Sequence, residues 1–196
     1  EGQSVAYAVV GHKADVMMFH LRPGVDDLQR LEQAFDRTLL ASAMTRATSY
    51  LSVVEVSRHG APEGTAGRIE DSPYIKARLK PEVPEHSRYL CFYPMSKKRE
   101  GADNWYSLGS DERGELMRAH GRTGRRYAGK VSQVITGSMG LDDWEWGVTL
   151  FSDDPVQFKK LIYEMRFDEV SARFADFGPF YVGQRIRPDD LRRWLG

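Results

Sequence analysis

The stretch QSVAYAVVGHKADVMMFHL at residues 3–21 decides the fold, because its arrangement recurs as VSQVITGSMGLDDWEWGVTLF at residues 131–151. Each stretch is an alternating apolar run, then a turn that contains glycine, then a second apolar run. Alternation with a period of two around such a turn predicts a β-hairpin. Two copies of the same unit in one chain indicate an internal duplication.

Each predicted hairpin is followed by the same two elements. Residues 22–40 and residues 152–170 begin with a turn and acidic side chains, and both continue with the apolar spacing of an amphipathic helix. A further strand closes each copy, at residues 49–56 and at residues 179–186. The apolar stripes of the two helices are Leu28, Leu31, Phe35 and Leu39 in the first copy and Phe158, Leu161, Ile162 and Met165 in the second.

The second hairpin is also preceded by a strand, from Tyr89 to Tyr93, and by a helix that starts at Ser110 as N-cap and runs to about His120. The second half is therefore β-α-β-β-α-β, the ferredoxin-like arrangement, whereas the first half contains only β-β-α-β. A duplicated fold begins both halves alike, so we expect the first half to lack one strand and one helix.

We therefore predict an α+β fold made of two ferredoxin-like halves. Residues 1–88 form the truncated N-terminal half with a Pro- and Gly-rich connecting segment (57–88), and residues 89–196 form the C-terminal half. Two antiparallel sheets would lie together with the helices outside. Strand edges that neither half covers alone favour homo-oligomerisation.

Composition excludes several classes of function. Lys plus Arg and Asp plus Glu are equal at 28 each, so net charge indicates neither a nucleic-acid partner nor a membrane surface. The apolar runs are too short to span a bilayer. Cys91 is the single cysteine, which excludes an intramolecular disulfide framework and a CxxC motif. No signal-peptide pattern opens the sequence, so we expect a cytoplasmic location.

His120 is the histidine whose position best fits a ligand site. It follows Leu116 and Met117 by four and three residues, so it shares their face of the helix, and Gly121 leaves room beside its ring. A flat ligand could approach there. A helix-terminal histidine that interacts with the last carbonyls is the alternative, and spacing alone favours it. The other histidines show no spacing typical of a metal site.

Two local enrichments accompany His120. Residues 97–130 are rich in Lys and Arg, which would suit a small polyanionic ligand, although composition alone favours a solvated surface balanced by acidic residues. Trp and Tyr are dense in the same half, and most of them are expected in the core. Both side chains are accessible to one-electron oxidants, and a rigid aromatic pocket suits a planar macrocycle.

Several separated motifs occur together in this half. They are YPMSKK (93–98), NWY (104–106), LMRAHG-x-x-GR-x-YAGKV (116–131), GLDDWEWGVTLF (140–151) and YEMRFDEVSARF (163–174). In this order and at these distances they resemble the coproheme decarboxylase family, chlorite dismutase-related enzymes of haem biosynthesis in monoderm bacteria. That family begins with an additional strand and helix, as the short first half leads us to expect.

The resemblance implies a dimeric α+β barrel subunit that assembles as a homopentamer. Its C-terminal half would bind iron coproporphyrin III (coproheme), which is both substrate and redox cofactor. Hydrogen peroxide would drive the oxidative decarboxylation of two propionates to vinyl groups, giving haem b and carbon dioxide. The ferrochelatase that supplies the substrate is the implied transient partner.

The resemblance also implies roles for individual residues. His120 would be the proximal iron ligand. Tyr93 would be the catalytic tyrosine, whose radical takes a hydrogen from the adjacent propionate, and Lys97 would position that propionate. The remaining implied pocket residues are Arg78 and Ser171 at propionates, Met95 near the reactive propionate, Gln133 on the distal side of the iron and Trp144 in the pocket wall.

Strand geometry explains the order of the YPMSKK motif. Residues two apart on an extended segment point to the same face, so Tyr93, Met95 and Lys97 would line one ligand while Lys98 points away. The Lys97 ammonium would hold a propionate beside the Tyr93 phenol.

Other functions remain open at this point. Chlorite dismutase shares the fold and the proximal histidine, but its chemistry is associated with a distal arginine, and Gln133 supplies no charge. A general haem peroxidase would need a distal acid–base group that Gln133 is not, so only weak peroxidase activity is expected. A haem carrier or sensor would keep His120 and would have no need for Tyr93 and Lys97 together.

Overall fold

A computed structural model of the protein describes residues 2–56, 75 and 78–190. Of the predicted connection, residues 57–74 and 76–77 lie outside the described part. The strands are β1 (Gln3–Val9), β2 (Val16–Leu21), β3 (Val53–Val54), β4 (Tyr89–Lys97), β5 (Arg99–Glu100), β6 (Asp103–Asn104), β7 (Ser132–Gly137), β8 (Trp146–Ser152), β9 (Ala175–Phe177) and β10 (Tyr181–Ile186). The helices are α1 (Val25–Asp36), α2 (Leu39–Ser42), α3 (Ser110–Arg125), α4 (Val156–Met165) and α5 (Glu169–Phe174).

One antiparallel sheet of eight strands organises the molecule. Its order is β2-β1-β10-β4-β8-β7-β3, with β9 paired alongside the end of β4, while β5 and β6 form a small separate ribbon. The four strands of the C-terminal half stay adjacent at the centre. Strands of the N-terminal half extend both edges, β1 on β10 and β3 on β7. The predicted α+β fold with duplicated halves is confirmed. The expectation of two separate antiparallel sheets is wrong, because strands of both halves pair with one another in a single eight-stranded sheet.

Both predicted hairpins are present. β1 pairs with β2 from Gln3 opposite Leu21 to Ala8 opposite Val16, and β7 pairs with β8 from Ser132 opposite Phe151. The alternating apolar runs that predicted them place successive side chains on opposite faces of the sheet. The two faces accordingly belong to two different cores.

The first core lies between the sheet and the helices. Cys91 of β4 and Leu150 of β8 pack there against Phe158 and Leu161, the buried residues of α4. The second core, on the other face, contains Tyr7, Leu90, Val134 and Phe151 together with Val83. The site described below lies on the helix-covered face.

The first-copy helix is shorter than predicted. It ends at Asp36, and Leu39 is 91% exposed at the start of α2, so Leu39 does not continue the apolar stripe. The Thr38 hydroxyl accepts a hydrogen bond from the Ala41 backbone N–H and so caps α2. A new helix therefore begins at Leu39, and α1 does not continue through it. The closing strand β3 is also short, two residues in place of the predicted residues 49–56.

The helix that carries His120 is longer than predicted. Ser110 is its first residue and not its N-cap, since Gly109 occupies the cap position and no side chain caps the helix there. It continues to Arg125, so Gly121 lies within the helix. Arginines in the last turn interact favourably with the negative end of the helix dipole and offset the low helix propensity of glycine.

Candidate functional site

β4 brings the predicted residues of the YPMSKK motif onto one face. Tyr93 lies opposite Val148, Met95 lies opposite both Trp146 and Phe177, and Lys97 lies opposite Ala175. The strand extends four residues beyond its predicted end at Tyr93, which lets the alternation reach Lys97. Tyr93 and Met95 both pack against the core beneath the helices. The shared face was predicted from spacing, and the register confirms it.

His120 faces this layer from α3 and has a carboxylate partner. Its Nδ1–H donates to Asp168 Oδ1 at 2.8 Å, and the side chains are 28% and 6% exposed respectively. A bond at Nδ1 fixes the tautomer and leaves Nε2 with a lone pair for a metal. Burial lowers the pKa of His120, Asp168 opposes that effect, and the nearby Lys97 lowers it further. The imidazole is therefore neutral near pH 7, the form in which it binds iron.

Asp168 is a residue that sequence reasoning missed. Its carboxylate also accepts the Val170 backbone N–H at 3.1 Å and caps α5. This second bond holds the carboxylate still while it orients His120. The signal was present in the sequence as an aspartate directly before a short apolar helix, but nothing in the spacing of residues 120 and 168 indicates that they touch.

Lys97 lies on the His120 side of the site. It is 8% exposed, with its Nζ 4.5 Å from the centre of the Trp105 ring. Its backbone N–H donates to Glu145 Oε2 at 2.7 Å. Burial lowers the pKa of Lys97 to about 8, while Asp168 and Glu145 raise it. The Lys97 ammonium is therefore buried near Asp168, the residue whose carboxylate binds His120.

Tyr93 lies in an aromatic environment. Its ring stacks on Phe180 at 4.4 Å with an interplanar angle of 23°, and Phe177 lies 5.9 Å away. Burial raises the pKa of Tyr93, with a further rise from Cys91, and Arg166 opposes the shift. The phenol keeps its hydrogen throughout the physiological pH range. Lys13 donates to the Phe180 carbonyl at 2.7 Å, so the first hairpin turn supports the ring against which Tyr93 stacks.

The segment between α4 and α5 joins the two parts of the site. Arg166 acts on the Tyr93 phenol, and two residues later Asp168 binds His120. Lys97, on the same strand face as Tyr93, acts electrostatically on His120. Two separate connections therefore bring Tyr93 and His120 into one region between the sheet and the helices.

Arg78 and Gln133 line a common cavity of about 320 Å³. Its walls also include Glu82, Ile135 and Phe151, and they include neither Tyr93 nor His120. Sequence reasoning assigned Arg78 and Gln133 to one pocket, and the structure brings these two together beside the start of β7.

The other predicted residues are Ser171, in α5, and Trp144, in the connection between β7 and β8. Ser171 is buried in α5, and its backbone N–H donates to the Asp168 carbonyl at 3.1 Å. Trp144 packs against the backbone at Gly178, where a Cβ would lie 2.9 Å from the indole ring. Gly178 is therefore required for this close approach. None of the described contacts joins Trp144 directly to Tyr93 or His120.

Within the described residues there is no group of three or more His, Cys, Asp or Glu side chains that could hold a bare metal ion. An iron porphyrin requires only one axial protein ligand, and His120 meets that requirement. Across residues 2–56 and 78–190, no helix is long and apolar enough to cross a membrane.

Known proteins resemble this chain over its whole length. The family model described as Chlorite dismutase matches residues 1–186. A coproheme decarboxylase of Thermus thermophilus is 55% identical over 196 residues, which cover 100% of this chain and 76% of that protein. The solved structure of a heme-binding protein from the same species has a TM-score of 0.94 at 54% identity, covering 100% of this chain and 77% of that chain.

The likeness extends to more distant structures. A variant chlorite dismutase of Candidatus Nitrospira defluvii has a TM-score of 0.78 at 20% identity and covers 100% of this chain and 80% of that chain. At this level of identity the likeness concerns the fold alone.

Proposed function

The chain belongs to the chlorite dismutase family, and from that membership we propose that it is a coproheme decarboxylase. It converts two propionates of iron coproporphyrin III to vinyl groups, with hydrogen peroxide as oxidant, and so produces haem b. The 55% identity to a coproheme decarboxylase over the full chain supports this enzyme class and not the chlorite-degrading one.

The residues around His120 fit an iron porphyrin. Nδ1 is committed to Asp168, so Nε2 would be the axial ligand, and the anionic partner makes the imidazole a stronger donor. This single contact is the observation that carries the proposal, because it prepares a neutral histidine whose Nε2 keeps a lone pair for iron.

Tyr93 would act on the substrate side chain. When bound, the iron porphyrin together with peroxide supplies the two oxidising equivalents that each decarboxylation consumes. Tyr93 would give up its phenolic hydrogen and then take one from the propionate carbon next to the porphyrin ring. The carbon–carbon bond to the carboxylate breaks, carbon dioxide leaves, and one peroxide is reduced to two water molecules for each vinyl group formed.

The other candidate residues would bind and orient the substrate. Lys97 and Arg78 would supply cations for propionates, and Ser171 a hydroxyl donor. Met95 would contact the propionate region and Trp144 the pocket wall. Gln133 would stand on the distal side, where a neutral amide offers hydrogen bonds and no charge.

The assembly and cellular setting follow the family resemblance. We propose a cytoplasmic homopentamer that receives iron coproporphyrin III from a ferrochelatase through a transient contact. Size determination by light scattering tests the first part, and substrate transfer between the two purified proteins tests the second.

The activity is tested by mixing purified protein with iron coproporphyrin III and adding hydrogen peroxide in steps. Mass spectrometry of the porphyrin should show the loss of two carboxyl groups in sequence, through a species with three propionates. Binding without a change of mass would instead support a haem carrier. Oxygen evolution from chlorite, measured on the same preparation, would point to the alternative family activity.

A further inference from the structure

Glu145 is a buried carboxylate beside the end of β4. It directly precedes β8 and is 8% exposed. β8 begins at Trp146, opposite Met95, so the pairing of β4 with β8 stops two residues before Lys97. Glu145 extends the contact, because its Oε2 accepts the Lys97 backbone N–H at 2.7 Å. A side chain thus takes the place of the backbone acceptor that a longer β8 would provide.

The backbone of Glu145 fastens the same junction. Its N–H donates to the Met95 carbonyl at 3.1 Å, and its own carbonyl accepts the Ser138 N–H at 2.8 Å. Glu145 therefore binds β4 at Met95 and again at Lys97, two residues whose side chains share one face of the strand. The position of Lys97 relative to β8 depends on this one residue.

The opposite edge of β4 and the Lys97 side chain are held by other elements. The Lys98 N–H donates to the Phe174 carbonyl at 3.1 Å, and the Lys98 carbonyl accepts the Trp105 N–H at 3.0 Å. The Lys97 Nζ lies 4.5 Å from the centre of the Trp105 ring. With Glu145 on one edge and these contacts on the other, the Lys97 ammonium has a fixed direction.

Glu145 leaves the donors of that ammonium available. Among the residues that the structure describes, none forms an ion pair with the Lys97 Nζ. Glu145 binds the backbone of Lys97 and acts on its ammonium only at longer range, since burial lowers the pKa of Lys97 while Asp168 and Glu145 raise it. A buried ammonium that no carboxylate occupies gains a charge-assisted hydrogen bond when an anionic ligand arrives.

Glu164 provides the most informative contrast. Its carboxylate accepts from the Tyr127 hydroxyl at 2.7 Å and pairs with Arg126 at 3.3 Å. Glu145 also has an arginine near its carboxylate, Arg99 at 3.9 Å. The two acids differ in that only Glu145 accepts a backbone N–H of β4 in the described part of the chain.

We propose that Glu145 is a positioning residue for the substrate: its carboxylate holds the Lys97 backbone so that the ammonium faces a carboxylate of the porphyrin. This inference rests on the proposed function and adds to it the residue that fixes Lys97. The reach of the Glu145 side chain matters more than its charge, because a backbone N–H needs only an acceptor oxygen at hydrogen-bonding distance.

Binding titrations with two conservative variants test the inference without relying on turnover. Glu145→Asp keeps the charge and is one methylene too short to reach the Lys97 N–H, whereas Glu145→Gln keeps the length and an acceptor oxygen. Iron coproporphyrin III and haem b are each titrated by absorbance. Haem b lacks the two propionates that react, so the ratio of the two affinities measures the contact with the substrate carboxylate.

We expect Glu145→Asp to lower the preference for iron coproporphyrin III over haem b roughly tenfold, the loss of one charge-assisted hydrogen bond. Glu145→Gln should keep most of the wild-type preference. The control Glu164→Asp should keep all of it.

A double variant shows whether Glu145 acts through Lys97. Lys97→Met should lose the preference by itself, and Glu145→Asp added to it should lower the preference no further. A general structural role would instead lower the preference in both backgrounds.

Four results would overturn the inference: a wild-type preference in Glu145→Asp or in Lys97→Met, a greater loss in Glu145→Gln than in Glu145→Asp, a further loss in the double variant, or an equal loss in Glu164→Asp. A wild type that leaves porphyrin mass unchanged on addition of peroxide contradicts the proposed function. The dependence of the Glu145 effect on Lys97 judges the positioning role separately.

Discussion

The two sides of the site use opposite chemistry although both lie between the sheet and the helices. The His120 side (His120, Asp168 and Lys97) is a polar cluster in which Asp168 accepts a hydrogen bond from His120 and raises the pKa of the buried Lys97. The Tyr93 side (Tyr93, Phe177, Phe180 and Arg166) consists of stacked rings and one guanidinium that forms no ion pair with the residues the structure describes.

This difference separates two tasks. A metal ligand needs a fixed tautomer and a steady anionic partner, which the His120 side supplies within the chain. A residue that exchanges hydrogen with a substrate needs a dry environment and a substrate held at a fixed distance. The stacked rings on the Tyr93 side supply the dry environment, and the bound substrate would complete this side of the site. If the division is correct, substitutions on the two sides should have different consequences for binding, turnover and stability.

Replacing Tyr93 by phenylalanine should separate catalysis from binding. Phenylalanine preserves the stack on Phe180 and has no phenolic hydrogen, so turnover should fall by a factor on the order of 10² or more while the affinity for iron coproporphyrin III stays unchanged. Peroxide-dependent mass loss and a binding titration measure the two effects. Decarboxylation at the wild-type rate would remove Tyr93 from the reaction.

Replacing Asp168 by asparagine should weaken the His120 side alone. Asparagine still caps α5 and still accepts from His120 Nδ1–H, but the charge is gone. We expect the affinity for the iron porphyrin to fall about 10- to 100-fold and the iron reduction potential to rise, because the imidazole becomes a weaker donor.

Spectroelectrochemistry and absorbance titration measure the Asp168→Asn effects. Glu169→Gln, at the next position and paired with Arg173, is the matched control and should leave both values unchanged. An unaltered reduction potential in Asp168→Asn would show that the carboxylate does not influence the metal ligand.

Lys97 should make stability depend on pH. Its pKa is about 8 in the folded state, below the ordinary value of 10.5, so between these values the unfolded chain binds more protons and stability rises with pH. Relative to Lys97→Met, the wild type should gain about 2 kcal/mol from pH 8 to pH 10. Urea unfolding at several pH values measures this, and Lys98→Met serves as control. A parallel pH dependence in wild type and Lys97→Met would contradict the buried-ammonium assignment.

Phe180→Leu should have the smallest effect. Loss of the ring stacked on Tyr93 should lower the free energy of unfolding by about 1 kcal/mol, the usual value of such a pair. Phe167→Leu is a suitable control because Phe167 is 74% exposed, and its effect should stay within about 0.5 kcal/mol. Equal losses in the two variants would mean that the stack contributes nothing specific.

Local patterns predicted most of the fold. The alternation in residues 3–21 and 131–151 is a direct consequence of which face each side chain takes, so both hairpins and the shared face of Tyr93, Met95 and Lys97 were predictable. The residues at which helices and strands end were less predictable. α1 ends before Leu39 because the Thr38 hydroxyl caps the next helix, a contact that apolar spacing does not reveal.

The motifs also led to His120 and Tyr93, but not to Asp168 or Arg166. Both missed residues lie between two helices, within the YEMRFDEVSARF motif. Asp168 binds His120, 48 positions away along the chain, and Arg166 lowers the pKa of Tyr93, 73 positions away. A charged residue in such a segment is ordinarily solvated. The position of Asp168 before a helix indicates a cap, but nothing in the sequence indicates that Asp168 meets His120 or that Arg166 lies near Tyr93.

By itself, the sequence determined the elements, their duplication and the side chains able to do the chemistry, because these depend on residue type and on spacing within one strand or helix. Only the tertiary structure decided which charges meet. Asp168 binds His120 and raises the pKa of Lys97, whereas Arg166 lies over Phe177 and pairs with no carboxylate in the described part of the chain. Such pairings depend on how α3, α4 and α5 pack on the sheet, and the free energy of a charge depends on the partner that this packing provides.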